Sequence, residues 1–194
     1  MSIRAFIALE LPESAREALG GVQKQLSPAG GKDVKWVRPE GIHLTLKFLG
    51  NIDEAQVEKA AQETAQAAAG CPPLTLKMKG VGAFPGVSRP RVVWVGLTGD
   101  VERLARLAAD LEGRLSRLGF APEGRPFTAH LTLGRVKEFG RARGAKSALG
   151  EAIVNLSGLD IEEFQATELI LFRSELKPGG AVYTRLRSTR LAGS

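Results

Sequence analysis

Cys71 is the only cysteine in a chain of 194 residues. One thiol closes no intrachain disulfide and supports no cysteine-based zinc site, and such sparing use fits a reducing compartment. Long apolar runs are missing too. No stretch approaches the roughly 18 residues that a membrane-spanning helix needs. The opening "MSIRAFIALELPESA" is broken by Glu10 and Pro12 and has no small-residue cleavage pattern. A cytoplasmic protein without membrane contact is expected. Histidine is nearly as scarce, with His43 and His130 the only two. Catalytic zinc takes a third ligand, and the neighbours of both histidines are apolar, with no HExxH pattern. No metal or other cofactor is therefore expected.

The rest of the composition is ordinary for a globular chain, 43% hydrophobic and 25% charged. This length can bury a core without covalent staples. Lys and Arg exceed Asp and Glu by six. A basic surface suits anionic partners such as nucleic acid or nucleotides, although the same excess can serve solubility alone.

Both histidines open the same tetrapeptide, in "HLTLKFLG" from His43 and "HLTLGRV" from His130. At ordinary composition, LTL follows any one histidine about once in two thousand times. Around these motifs, strand and helix patterns alternate in two similar halves, about 1–99 and 100–194. "IRAFIAL" reads as a buried strand, followed by a helix from about Glu13 to Leu26 and a loop at "SPAGGKD". Asp53 is placed to cap an alanine-rich helix ending near Ala69. Val101, Leu104, Leu107, Leu111, Leu115 and Leu118 form one helical stripe. "RARGAKSALG" reads as a short helix or loop, and the chain from "EAIVN" onward as the final strands, with Gly179 and Gly180 in a hairpin turn. The fold class expected is α+β: a single bilobal domain over 1–194, with two antiparallel-rich sheets flanked by helices around a central cleft.

Side chains alternate along a strand, so His43 and Thr45 share one face and Leu44 and Leu46 the other; His130 and Thr132 repeat the arrangement. Two such pairs facing one cleft suit a phosphoryl group. Imidazole gives or takes a proton near neutral pH, and a threonine hydroxyl donates to an anionic oxygen without adding charge. A single strand histidine is more often structural, and threonine is common in strands for reasons of propensity. The doubling, in a chain with no other histidine, favours catalysis.

Paired H-x-T-x motifs in two halves of a chain this long resemble the two-histidine (2H) phosphoesterase superfamily. "RAFIALELP", "HLTLKFLG" and "HLTLGRV" are similar to its RNA 2′,3′-cyclic phosphodiesterase branch, also called 2′-5′ RNA ligase. The resemblance implies hydrolysis of RNA 2′,3′-cyclic phosphate ends to 2′-phosphomonoesters without metal, with possible reversal as 2′-5′ ligation; RNA ends and nucleotides are the expected partners and a monomer the expected state. It implies a functional set of His43, Thr45, His130 and Thr132, with Arg135 contacting phosphate. Departure of O3′ leads us to expect His130 as base for water and His43 as acid.

Further candidates come from position. Lys47 shares the Thr45 face by alternation and would help hold the RNA backbone. Phe48 and Phe84 are the best placed of four aromatics, with Trp36 and Trp94, to stack on a terminal base. Strict alternation turns Phe48 toward the core unless the strand bends before Gly50, and Phe84 falls in the loop "GAFPG". The basic run Gly140–Lys146 would guide RNA phosphates. Two alternatives stay open: a phosphodiesterase of a small cyclic nucleotide or cyclic ADP-ribose phosphate, and a non-catalytic RNA-binding module.

Overall fold

The apolar run after Ser2 forms the first strand, β1 (Ile3–Glu10), whose alternate residues serve two different clusters. Ala5, Ile7 and Leu9 enter the main core, while Phe6 and Ala8 join a smaller cluster with Ile170 and Phe172 on the opposite face. The computed structural model describes residues 2–137, 143–178 and 180–193. After β1 come α1 (Glu13–Gly30), β2 (Val34–Trp36), β3 (His43–Ile52), α2 (Glu54–Ala69), β4 (Leu74–Phe84) and β5 (Val92–Gly99). They are followed by α3 (Val101–Arg117), β6 (His130–Val136), α4 (Arg143–Asn155), β7 (Asp160–Ala166), β8 (Glu168–Lys177) and β9 (Gly180–Arg190).

Local chemistry accounts for most boundaries. Asp53 accepts a hydrogen bond from the Gln56 amide while the Gln56 side chain accepts from the Asp53 amide, a reciprocal cap that starts α2. The α3 stripe buries Leu104, Leu107, Leu111 and Leu115, whereas Leu118 lies past the helix end and is exposed. Two readings need correction. Helix α1 continues through "SPAG": Pro28 sits in the last turn, Ser27 bonds back to the Gln23 carbonyl, and Gly30 closes against Val34 and Trp36. "EAIVN" belongs to α4, where Leu149 and Ile153 bury at helical spacing, and not to a strand. Gly179, expected in the hairpin turn, lies outside the described residues, as do residues 140–142 of the basic run.

The fold is α+β with two antiparallel sheets, a four-stranded one ordered β3-β1-β8-β9 and a five-stranded one ordered β2-β6-β5-β4-β7. Each sheet takes strands from both halves of the sequence, so a lobe is not a half of the chain. The helices cross over as well. Helix α1 follows β1 of the four-stranded sheet yet packs on α4, β2 and β7 of the other side. Helix α3 links two strands of the five-stranded sheet yet packs on α2 and β3. The motif strands β3 and β6 touch where the two sheets meet. Among the described residues no helix is long and apolar enough to cross a membrane.

Candidate active site

In β3, Leu44 and Leu46 are buried while His43 and Thr45 stay half-exposed; in β6, Leu131 and Leu133 are buried while His130 and Thr132 stay half-exposed. Alternation then breaks at the same point in both strands. Against β1, Thr45 pairs with Ala8 but Lys47 with Ile7, leaving Leu46 as an extra residue. Against β5, Thr132 pairs with Trp94 but Gly134 with Val93, leaving Leu133 extra. These are β-bulges, and each moves the following residues to the other face. His43, Thr45 and Phe48 thus form one row opposite Glu10, Ala8 and Phe6. His130, Thr132 and Arg135 form the matching row opposite Gly96, Trp94 and Val92.

The two imidazoles are held alike. Nδ1 of His43 lies 2.9 Å from the Gly41 carbonyl oxygen, and Nδ1 of His130 lies 2.7 Å from that of Thr128. A carbonyl only accepts, so in both rings Nδ1 carries the hydrogen and the neutral form keeps its lone pair on Nε2. Their surroundings differ. His43 stacks on Phe6 at 4.6 Å and meets the edge of Tyr183 at 4.9 Å, with Phe172 at 6.1 Å. Among the described residues His130 has one aromatic neighbour, Phe84, edge-on at 5.1 Å.

Burial in this aromatic nest pushes the His43 imidazole down to about 4, against a weaker upward pull from the Gly41 carbonyl. His43 is therefore neutral at physiological pH. Protonation favours the unfolded chain, so its contribution to stability falls as pH drops from about 6.5 toward 4. An NMR titration of the two C2 protons is expected to show one resonance with a midpoint near 4. Phe6→Ala admits water and moves that midpoint upward; a His43 midpoint already at 6.5 in the wild type would refute the argument.

Arg135 is exposed, and its charge reaches Tyr183 across the junction between the sheets. Burial raises the Tyr183 phenol, and the Arg135 and Arg4 guanidiniums partly oppose this. Phe84, expected in a loop, is the last residue of β4; it packs beside His130 and 5.2 Å from Trp94. Trp94, the less favoured candidate, is half-buried over Gly82, where a methyl group would lie 2.3 Å from its ring. Trp36 packs against the core beside Gly30 and Gly134.

Two placements correct the reading from alternation. Lys47 does not face the cleft: it is 1% exposed, 2.8 Å from the Glu112 carboxylate, and donates to the Ala121 carbonyl at 2.6 Å. It cannot hold an RNA backbone from there. Phe48 does not enter the core: it is 54% exposed and tilts against Phe6 at 6.0 Å. The bulge at Leu46 and Lys47 causes both reversals. Phe6, Phe172 and Tyr183 were missed because their strands are apolar or weakly patterned and show no preferred face, although a lone tyrosine was a usable signal.

Beside His43 opens a hollow of about 180 Å³, lined by Glu10, Arg16, Glu40, Tyr183 and Arg185 among others. Glu10 is paired with Arg16 and Arg185 there. Among the described residues, no three His, Cys, Asp or Glu side chains cluster as metal ligands would.

Imidazole-hydroxyl rows are thus duplicated on two strands that touch, and comparison with known proteins supplies the family. The family model described as LigT like Phosphoesterase matches the chain twice, over residues 9–94 and 95–183, and the chain belongs to this family. A Methanothermobacter thermautotrophicus protein named RNA 2′,3′-cyclic phosphodiesterase is 34% identical over 191 residues, which cover 98% of this chain and 100% of that one. The crystal structure of TT0787 from Thermus thermophilus superposes with a TM-score of 0.81 at 30% identity, covering 99% and 100% of the two chains. E. coli LigT in complex with 3′-AMP superposes with a TM-score of 0.78 at 26% identity, covering 98% and 99%.

Proposed function

We propose that the protein is an RNA 2′,3′-cyclic phosphodiesterase that opens the cyclic end to a 2′-phosphomonoester by paired imidazole catalysis. The observation that carries this reading is the matched pair of rows on two touching strands, each imidazole fixed through Nδ1 with no hydrogen bond to Nε2 among the described residues. The relative's name supplies the substrate class, and the nucleotide held by E. coli LigT fits it.

The cyclic phosphate sits between the rows, its non-bridging oxygens taking hydrogen bonds from Thr45 and Thr132 and charge from Arg135. Water attacks phosphorus in line with O3′. One imidazole takes the water proton, the P–O3′ bond breaks, and the other imidazole protonates O3′. We assign the roles in the opposite sense to that expected from the sequence. Burial keeps the His43 imidazole unprotonated and available, at a cost in basicity, so we take His43 as the base and His130, the remaining imidazole, as the acid. With a 5′-hydroxyl in place of water, the reverse course makes a 2′-5′ bond. Phe48, exposed on the β3 row, and Phe84, beside His130, offer ring faces to the terminal bases.

The test uses chelator-treated protein and an oligoribonucleotide ending in a 2′,3′-cyclic phosphate, followed by phosphorus NMR. A 2′-monoester is expected. A 3′-monoester would reverse the leaving oxygen, turnover only of small cyclic nucleotides would change the substrate class, and binding without turnover would remove catalysis.

A further inference from the structure

Both motif strands bulge directly after their HLTL, and each bulge is gripped by a polar side-chain contact with a helix that crosses over from the other sheet's connections. At β3 the bulge turns Lys47 inward, where its ammonium meets Glu112 of α3 at 2.8 Å and the Ala121 carbonyl at 2.6 Å. Ala121 lies in the segment that leads from α3 to His130. Glu112 also accepts from the Glu123 amide at 3.2 Å, and the Glu123 carboxylate accepts from the Phe48 amide at 3.2 Å. At β6 the extra residue is Leu133. Its carbonyl accepts from the buried side-chain amide of Gln23, on α1, at 2.8 Å and from the Val37 amide at 2.8 Å. Gln23 donates to the Val37 carbonyl as well, at 2.7 Å.

The two grips are reciprocal in topology and different in chemistry. At the first, a long side chain reaches from strand to helix. At the second, the position matching Lys47 is Gly134, where a Cβ would lie 2.8 Å from Val34 and 2.9 Å from Trp36, so the helix reaches to the strand backbone instead. A buried ammonium and a buried amide both need partners, which makes each contact restrictive in geometry. Neither side chain touches the cleft.

We propose that Lys47 and Gln23 are positioning residues: each holds one bulge to the opposite helix, keeping Thr45 and Phe48, and Thr132 and Arg135, turned toward the shared cleft. This rests on the phosphodiesterase reading for its kinetic consequence, but not for its structural one. A bulge released from its grip is free to slip by one residue, and such a slip turns the following side chains to the other face.

The experiment compares wild type, Lys47→Met, Lys47→Arg, Glu112→Gln and Gln23→Met as full chains, each checked for folding by circular dichroism and thermal melting. Two readouts are taken: kcat and KM on the cyclic-phosphate oligoribonucleotide, and the C2-proton shifts of the two histidines, assigned from single-histidine variants. Folded Lys47→Met is expected to lose tenfold or more in kcat with KM within threefold, and to move the His43 resonance more than that of His130. Gln23→Met does the converse to the resonances. Lys47→Arg, which keeps a donor, regains most of the rate.

If Lys47→Met fails to fold, Glu112→Gln tests the same grip from the partly exposed side, and its expected effect has the same direction. Folded variants with wild-type kcat and unmoved resonances overturn the proposal. An inactive wild type counts against the phosphodiesterase reading alone, because the resonance pattern still tests the positioning.

Discussion

His130→Ala is expected to lower kcat/KM on a cyclic-phosphate RNA end by about 10²–10⁴-fold, and His43→Ala by a similar factor, since on the proposed mechanism each removes one proton-transfer group. The two losses differ in what restores them. A substrate with sulfur in place of O3′ leaves as a thiolate and needs little protonation, so it rescues the variant that lacks the acid. Rescue of His130→Ala and not of His43→Ala supports the assignment given above; the opposite pattern reverses it. The pH profile provides a second check. A base that loses its proton at about 4 keeps kcat/KM from falling until the solution is distinctly acidic. Single variants that retain near-wild-type turnover on both substrates would eliminate imidazole catalysis.

Arg135→Ala is the second large loss. On the proposed mechanism its guanidinium faces the developing phosphorane charge and contributes on the scale of one preorganised oxyanion donor, about 10²–10³-fold in kcat. Arg135→Lys should recover only part, because a point charge replaces a two-pronged donor. The same variant has a readout independent of turnover. The Arg135 charge opposes the burial that raises Tyr183, so its removal moves the phenol still higher. Tyr183 is the only tyrosine, and ultraviolet titration reads it without overlap from another phenol. An unchanged tyrosine titration in Arg135→Ala would mean that the guanidinium does not reach across the sheet junction.

The motif pairs were legible before any coordinates because strand alternation acts over two or three residues, and HLTL leaves no ambiguity about which side chains are apolar. Most helices were legible for a similar reason, with the α3 stripe and the Asp53 cap written in local spacing. The misread residues lie just past each motif. Lys47 and Phe48 exchange faces because Leu46 is an extra residue, and a bulge depends on what the partner strand and packed helix demand. Nothing between Thr45 and Gly50 announces it. The extended α1 likewise follows from contacts of Gly30 with Val34 and Trp36, which overrule the warning given by Pro28.

By itself the sequence determined the chemistry available: two imidazoles, two hydroxyls and an arginine in duplicated strand contexts, in a chain with too few cysteines and histidines for the commonest metal sites. Only the tertiary structure decided how those groups differ from one another. The motifs are nearly identical as text, yet His43 lies on Phe6 beside Tyr183 while His130 meets the ring of Phe84 edge-on. Proton affinity depends on everything within a few ångströms of the ring, and those neighbours come from strands far away in the chain. That is why identical tetrapeptides need not place their imidazoles in identical surroundings.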